Sequence, residues 1–358
     1  MNSVVDEDVK GIVSGSHPEL ETLTDRTVMI TGGTGFVARY LIRSILAFNE
    51  TADGPIKLLL PVRSPQKMRA ILDRKTETKE AVVFEWQRMR ETGGIPTADY
   101  IIHAASPSDP AKYMLDPHGT MKEIISLTED VVAFAERSNT SRLLYISSGA
   151  VYGKQPSAMD SITEDYMGGP DLTSPASCYG EAKRYSELLV RTSGLESVSA
   201  RLFSFIGPYQ DEMSSFAVPD FLHQALSSSQ IFIRGDGSAV RGYCYSSELA
   251  IMLWKLLLKG SPLAAYNVGS DRFTTSMKDL ATNIARIVGD VEVRTQDSDD
   301  EGRSRAAPSR YVPNMDRMRT IFEPTIDIES ALRRTVRFLQ EERLKGSEIK
   351  AITRGAAR

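Results

Sequence analysis

Cysteine is nearly absent from this chain: its 358 residues hold two, Cys178 and Cys244. Two cysteines build no disulfide framework, and neither has a second cysteine or a histidine at metal-ligand spacing, so no cysteine-held metal is expected. A charge excess is also missing. With 43 Lys and Arg against 47 Asp and Glu the net charge is -4, and the basic residues are scattered, which leaves no footprint for nucleic acid or a membrane surface. No apolar run approaches the length of a membrane span. The opening MNSVVDEDVKGIV is acidic and has no basic segment ahead of an apolar core. The expectation is therefore a soluble, unexported, cytoplasmic protein with small-molecule partners. The acidic pair Asp299-Asp300, in the charged run 296–305, has no partner ligands nearby and reads as a solvated loop rather than a metal site.

What the chain does have is Thr27 to Leu41, TVMITGGTGFVARYL. Val28, Met29 and Ile30 read as a buried strand, Gly32 and Gly35 allow a tight turn, and a helix opens at Phe36. Amides at such a helix start suit a pyrophosphate, and the helix dipole adds a favourable field. A glycine turn can serve packing alone, but a turn between strand and helix near the N-terminus is the context a dinucleotide fingerprint requires. The spacing Gly32-x-x-Gly35-x-x-Ala38 resembles that of the short-chain dehydrogenase/reductase superfamily. That resemblance implies cofactor contacts from Gly32, Thr34, Gly35, Phe36 and Val37.

The length exceeds the usual single core, so one large α/β domain with a smaller lobe is expected. Residues 1–24 are polar and mixed and read as a leader that packs a helix across the surface. After a helix over Val37 to Asn49, Ile56 to Val62 is a second strand interrupted by Pro61, with Arg63 at its end. An acidic residue there would bind an adenosine ribose. Nothing acidic lies between Asp53 and Asp73, while Lys57, Arg63, Lys67 and Arg69 do, which favours a 2′-phosphate and hence NADP over NAD. The alternative is that Arg63 stacks on adenine or faces solvent. Ala81 to Trp86 and Asp99 to Ala105 are the third and fourth strands, and the small Ala104, Ala105 and Ser106 let a dinucleotide lie against the sheet. His103, inside an apolar strand, reads as a core residue rather than a base. Gly119 to Arg137 is a long helix, apolar on more than one face, that suits the seam of a homodimer.

Arg142 to Ser148 is the fifth strand, delivering Ser147 and Ser148 to the sheet edge where ligands bind. A loop with Pro156, Gly168, Gly169, Pro170 and Pro175 leads to a helix from Tyr179. Tyr179 and Lys183 lie four apart, just over one turn, so an ammonium faces a phenol and favours its phenolate. That predicts an acid/base usable near neutral pH.

Taken in order, Thr31-Gly32-x-x-Gly35, Ser148-x-x-Val151-Tyr152-Gly153 and Tyr179-x-x-x-Lys183 resemble the extended short-chain dehydrogenase/reductases, the nucleotide-sugar epimerase/dehydratase family. The likeness runs over residues 25–345, through Arg201 to Pro208, Gly235-Asp236-Gly237 with Arg241 and Tyr243, Tyr266 to Gly269, and Val312-Pro313. It implies a Rossmann-type doubly wound parallel sheet with a smaller, sequence-interleaved substrate lobe. The corresponding boundaries are 1–24 leader, 25–204 plus 241–260 dinucleotide-binding domain, 205–240 plus 261–345 substrate lobe, and 346–358 frayed tail.

The resemblance also implies roles. Ser148 would hold a sugar oxygen, Tyr179 would exchange its proton, and Lys183 would bind the nicotinamide ribose of NAD(P). Arg241 would pair with the diphosphate of a nucleotide-sugar substrate, with Ser106 and Ser204 as further substrate contacts. Three departures stand out: Ile124 near a usual asparagine, Ser204 for the usual asparagine before Gly-Pro, and Gly242 after the arginine for a usual acid. Gly149-Ala150 also lacks the acidic pair of the dehydrating relatives and the second-position glutamate of the sugar-acid decarboxylases. The expected activity is a 4-keto-6-deoxy sugar reductase, with a 4-epimerase holding NAD tightly as the alternative. An inactive nucleotide-binding relative is the reading from a different class.

Overall fold

The computed structural model describes residues 2–72, 81–91, 94–210, 214–296 and 309–355. The charged run expected from 296 to 305 lies, beyond Gln296, outside the described residues.

The apolar segments β1 (Thr27–Thr31), β2 (Lys57–Val62), β3 (Ala81–Glu85), β4 (Tyr100–His103), β5 (Arg142–Ser148) and β6 (Ser197–Leu202) form one parallel sheet, which β10 (Ala265–Val268) completes. The order is β10-β6-β5-β4-β1-β2-β3. All seven residues of β5 are buried, as befits a strand covered by helices on both faces. The chain winds outward from β1 on one side and returns through β4 on the other, so the carboxyl ends of β1 and β4 flank the point where a doubly wound sheet binds its ligand. Pro61 does not interrupt β2. The ladder to β1 ends at the Met29–Leu59 pair, so Pro61 sits where β2 has β3 as its neighbour, and a missing donor is tolerated there.

Short strands β7 (Ser204–Ile206), β9 (Val240–Tyr245), β11 (Thr274–Ser276) and β13 (Arg310–Tyr311) make a second sheet, and β8 (Gln230–Ile233) pairs with β12 (Glu292–Thr295). The second sheet is organised around β9, which pairs with three other strands.

The first 24 residues are not a surface leader. They form α1 (Ser3–Gly15) and α2 (His17–Thr22), whose Val4, Val5, Val9, Ile12 and Leu20 join the main core. The apolar residues recur at helical spacing, and Asn2 caps α1 by accepting the Val4 amide. Within this core Asp8 is fully buried, accepting hydrogen bonds from the Tyr40, Tyr245 and Arg334 side chains at 2.5, 2.7 and 2.9 Å. These partners come from α3 (Phe36–Asn49), the end of β9 and the C-terminal helix α12 (Ile328–Gly355). The helix α12 continues to Gly355, where a frayed tail was expected from 346 onward. Four further helices position the site: α4 (Pro65–Leu72), α5 (Pro110–Leu115), α6 (Pro117–Ser138) and α7 (Cys178–Thr192). The remaining helices are α8 (Ala217–Ser228), α9 (Ser246–Lys259), α10 (Met277–Val288) and α11 (Asp316–Arg319).

Candidate active site

Gly32 closes β1 with a φ of +72°, where a side chain is strained, and a Cβ there would stand 2.9 Å from the Ala104 carbonyl. Glycine is therefore required by conformation and by space. The amides of Ala104 and Ala105 donate to the Thr31 hydroxyl oxygen at 3.1 and 3.0 Å, locking the end of β4 beside the glycine turn. Gly35 is the N-cap of α3, and no side chain caps that end, so the first-turn amides are free of a side-chain acceptor. This arrangement fits a dinucleotide: the uncapped amides would take the pyrophosphate, and only backbone and small side chains stand at Gly32, Ala104 and Ala105. Thr34 and Val37 flank the turn half-buried, and Phe36 stacks on Phe205, centroids 5.2 Å apart. Ser106 is half-buried and donates to the Pro107 carbonyl.

His103 is a core residue. Thr31 accepts two amides and so donates to His103 Nδ1 at 2.8 Å, while Nε2 lies 3.3 Å from the Thr128 hydroxyl. Burial, helped by the Lys183 ammonium, pushes the imidazole down to about 3, and it stays neutral. Arg63 ends β2 largely exposed and pairs with Glu123 of α6 at 3.2 Å.

Ser148, Tyr179 and Lys183 converge at the carboxyl end of β5. Ser148 Oγ accepts the Ala150 amide at 3.1 Å, and Ser148 is near enough to Tyr179 to pull its phenol pKa down. Lys183 Nζ donates to the Ile146 carbonyl at 2.8 Å and lies 4.9 Å from the Tyr145 ring centroid and 5.9 Å from that of Tyr179. The shared helix face is therefore real. The balance of charge differs from expectation: burial raises the Tyr179 phenol to about 12, against the pull of Ser148, while burial lowers the Lys183 ammonium to about 7. Glu187, one turn on, opposes that fall and is itself held by the forked Arg201 guanidinium at 2.7 Å. Ile124 is buried on α6, and its carbonyl accepts the Thr128 hydroxyl.

Ser204 begins β7, half-buried and paired in register with Tyr243. Arg241 sits on β9 and donates to the carbonyls of Val240 and Ser309 at 2.9 and 3.2 Å. Its link to Ser148 runs through a residue that sequence reasoning missed. Tyr311 pairs with Arg241 in register and lies 5.9 Å under its guanidinium, and the Tyr311 hydroxyl lies 3.5 Å from the carbonyl of Leu202, the residue paired with Ser148. The usable signal was its place just before Val312-Pro313. Tyr113 was also missed. It stacks on Tyr179 with ring planes 3° apart and centroids 5.5 Å apart, from a short helix capped by Asp109. An Asp-Pro helix start directly after a sheet edge was the available clue.

A family model, NAD dependent epimerase/dehydratase family, matches residues 28–269. The chain belongs to that family. UDP-glucuronic acid decarboxylase 1 of Xenopus tropicalis is 28% identical over 342 residues, covering 91% of this chain and 76% of that one. Among solved structures, a dTDP-glucose 4,6-dehydratase double mutant from Streptomyces venezuelae with NAD bound is similar at a TM-score of 0.73 and 22% identity, covering 88% and 97% of the two chains. RMD from Pseudomonas aeruginosa complexed with NADPH is similar at 0.66 and 22%, covering 88% and 99%. In this family member, among the described residues, no cluster of His, Cys, Asp and Glu could hold a metal, and no helix is long and apolar enough to cross a membrane.

Proposed function

We propose that this family member transfers hydride at C4 of a nucleotide-linked hexose and works as a reductase of a 4-keto-6-deoxy sugar nucleotide. The observation that carries the reading is that Ser148, Tyr179 and Lys183 meet at one sheet edge while Gly149 and Ala150, beside them, bring no acid or base. A reduced nicotinamide, held by the glycine turn and Lys183, would supply the hydride for C4. Tyr179 gives its proton to the carbonyl oxygen, and Ser148 holds the same oxygen. The phenol, raised to about 12 by burial, carries the proton to be transferred at neutral pH. Lys183 spends one of its three donors on Ile146 and has others for a ribose.

Loss of water across C5 and C6 would need a base and an acid that positions 149 and 150 lack. The relatives named decarboxylases act on UDP-glucuronic acid, but the glutamate expected of that branch is Ala150 here. Arg63 supports NADP over NAD, and the second sheet, with Ser204 and Arg241, would form the substrate lobe, Arg241 binding the diphosphate with its fork of donors. The half-buried Met121 and Ile125 of α6 are what support a homodimer, since Ile124, Val131, Val132 and Phe134 are buried within the chain.

The test is to mix protein, NADPH or NADH, and the dTDP and UDP forms of a 4-keto-6-deoxyhexose, and follow the absorbance of the reduced nicotinamide. Consumption is the expected result. Epimerisation without net cofactor use would replace the reductase by the 4-epimerase, and a 4-keto-6-deoxy product from a plain nucleotide hexose, or a pentose from UDP-glucuronic acid, would overturn both.

A further inference from the structure

Position 149 is glycine for want of space, and Tyr311 takes that space. Gly149 is not among the glycines with positive φ, so its backbone suits any residue. A Cβ there would nevertheless lie 2.5 Å from the Tyr311 hydroxyl and 2.9 Å from the Phe203 ring tip, closer than packed atoms allow. Neither ring can easily yield. Phe203 is buried, the two rings pack with centroids 4.6 Å apart, and Arg241 covers Tyr311 from the other strand. The Tyr311 hydroxyl also lies 3.5 Å from the Leu202 carbonyl, at the end of the strand paired with Ser148.

We propose that Tyr311 is the specificity-determining residue of this site: its hydroxyl fills the place of a side chain at 149 and positions Ser148, so that proton exchange is confined to Ser148 and Tyr179. The second half of that statement rests on the reductase reading, and the first does not. Position 149 is where the dehydrating relatives are expected to carry an acid, and in this chain an acid and Tyr311 exclude one another. The residue arrives from β13, more than a hundred residues after Gly149, so the choice of reaction is made by how the second sheet seats against the first. Tyr311 is a positioning residue: it stands against Gly149, next to Ser148, and against the Leu202 carbonyl paired with Ser148, and it does not supply the proton.

Two measurements decide it. In a double-mutant cycle, Gly149→Ala is expected to lower Tm by at least about 3 °C in the full chain, but by under about 1 °C when Tyr311→Ala is also present. Additive losses would overturn the steric pairing, and this arm needs no turnover. Tyr311→Phe keeps the ring packing. With dTDP-4-keto-6-deoxyglucose and NADPH its kcat is expected to fall about tenfold while KM and NADPH affinity change less than about twofold. An unchanged kcat, or a loss confined to KM, would overturn the positioning role. If wild-type protein turns over no keto sugar, the reductase reading fails, while the cycle still decides for or against the Tyr311–Gly149 pairing.

Discussion

Asp8 and Lys183 are both buried, and they are held in opposite ways. Asp8 receives three donors from three separate elements, and its carboxylate oxygens are met by two phenols and a guanidinium. Burial raises its pKa, and each of the three partners pulls it back. Lys183 is nearly as buried, yet its ammonium is given one carbonyl and the faces of two aromatic rings. Burial therefore dominates and brings it down to about 7. A buried charge with every bond made ties elements together, whereas one with donors unspent keeps free energy in reserve for a ligand. The first arrangement serves stability, and the second is where chemistry is to be sought.

The largest expected effect breaks the second site. Tyr179→Phe retains the ring and its stack on Tyr113 but removes the proton that would be exchanged. Turnover should fall at least about a hundredfold, the usual worth of a positioned acid, while NAD(P)H affinity stays within about twofold. Single-turnover rates and cofactor titration check both halves. A loss below about tenfold would show that the proton comes from elsewhere.

Breaking the first site should do the reverse. Asp8→Ala leaves two buried phenols without their acceptor, while Arg334, partly exposed, can turn to water. The expected loss is about 2 to 4 kcal/mol of stability with turnover per folded molecule unchanged. Denaturant unfolding and kcat on the same sample test this. Intact stability would mean that water replaces the carboxylate, and altered kcat would mean that the two clusters communicate.

This contrast also explains what could be read from the sequence. The glycine turn, the β5 edge and the Tyr179–Lys183 face were legible because each depends on neighbours within a few residues. The first five strands were found to within about one or two residues for the same reason, while β6 to β13 were not delimited. Asp8 was invisible because its partners stand at positions 40, 245 and 334, and nothing in the run Asp6-Glu7-Asp8 tells which acid is buried. Tyr311 and Tyr113 were missed because contacts across the fold, and not spacing, bring them to Ser148 and Tyr179. The tuning of Tyr179 was misjudged because helix periodicity reports which groups face each other but not how much water is excluded around them. Arg63 was identified by its place at the end of β2, but its partner Glu123 could not be foreseen from a helix sixty residues away.

That partner shapes the smallest expected effect. Arg63 is 84% exposed, and its pair with Glu123 at 3.2 Å is of the kind worth no more than about 1 kcal/mol, so it exchanges readily for a better anion. A 2′-phosphate on the adenosine ribose would be such an anion, since a charge-assisted contact to it is worth about 1.5 to 3 kcal/mol. Arg63→Ala should then cost NADP affinity about tenfold or more and NAD affinity little, measured by titrating each cofactor into stripped protein. Glu123→Ala, which releases the guanidinium, should strengthen NADP by up to about threefold and leave NAD alone, because the ion pair no longer competes. Equal losses for both cofactors in Arg63→Ala would mean that the guanidinium stacks on adenine and reads no phosphate. In that case the reductase reading would lose its cofactor argument and would rest on Ser148, Tyr179 and the closed space at Gly149 alone.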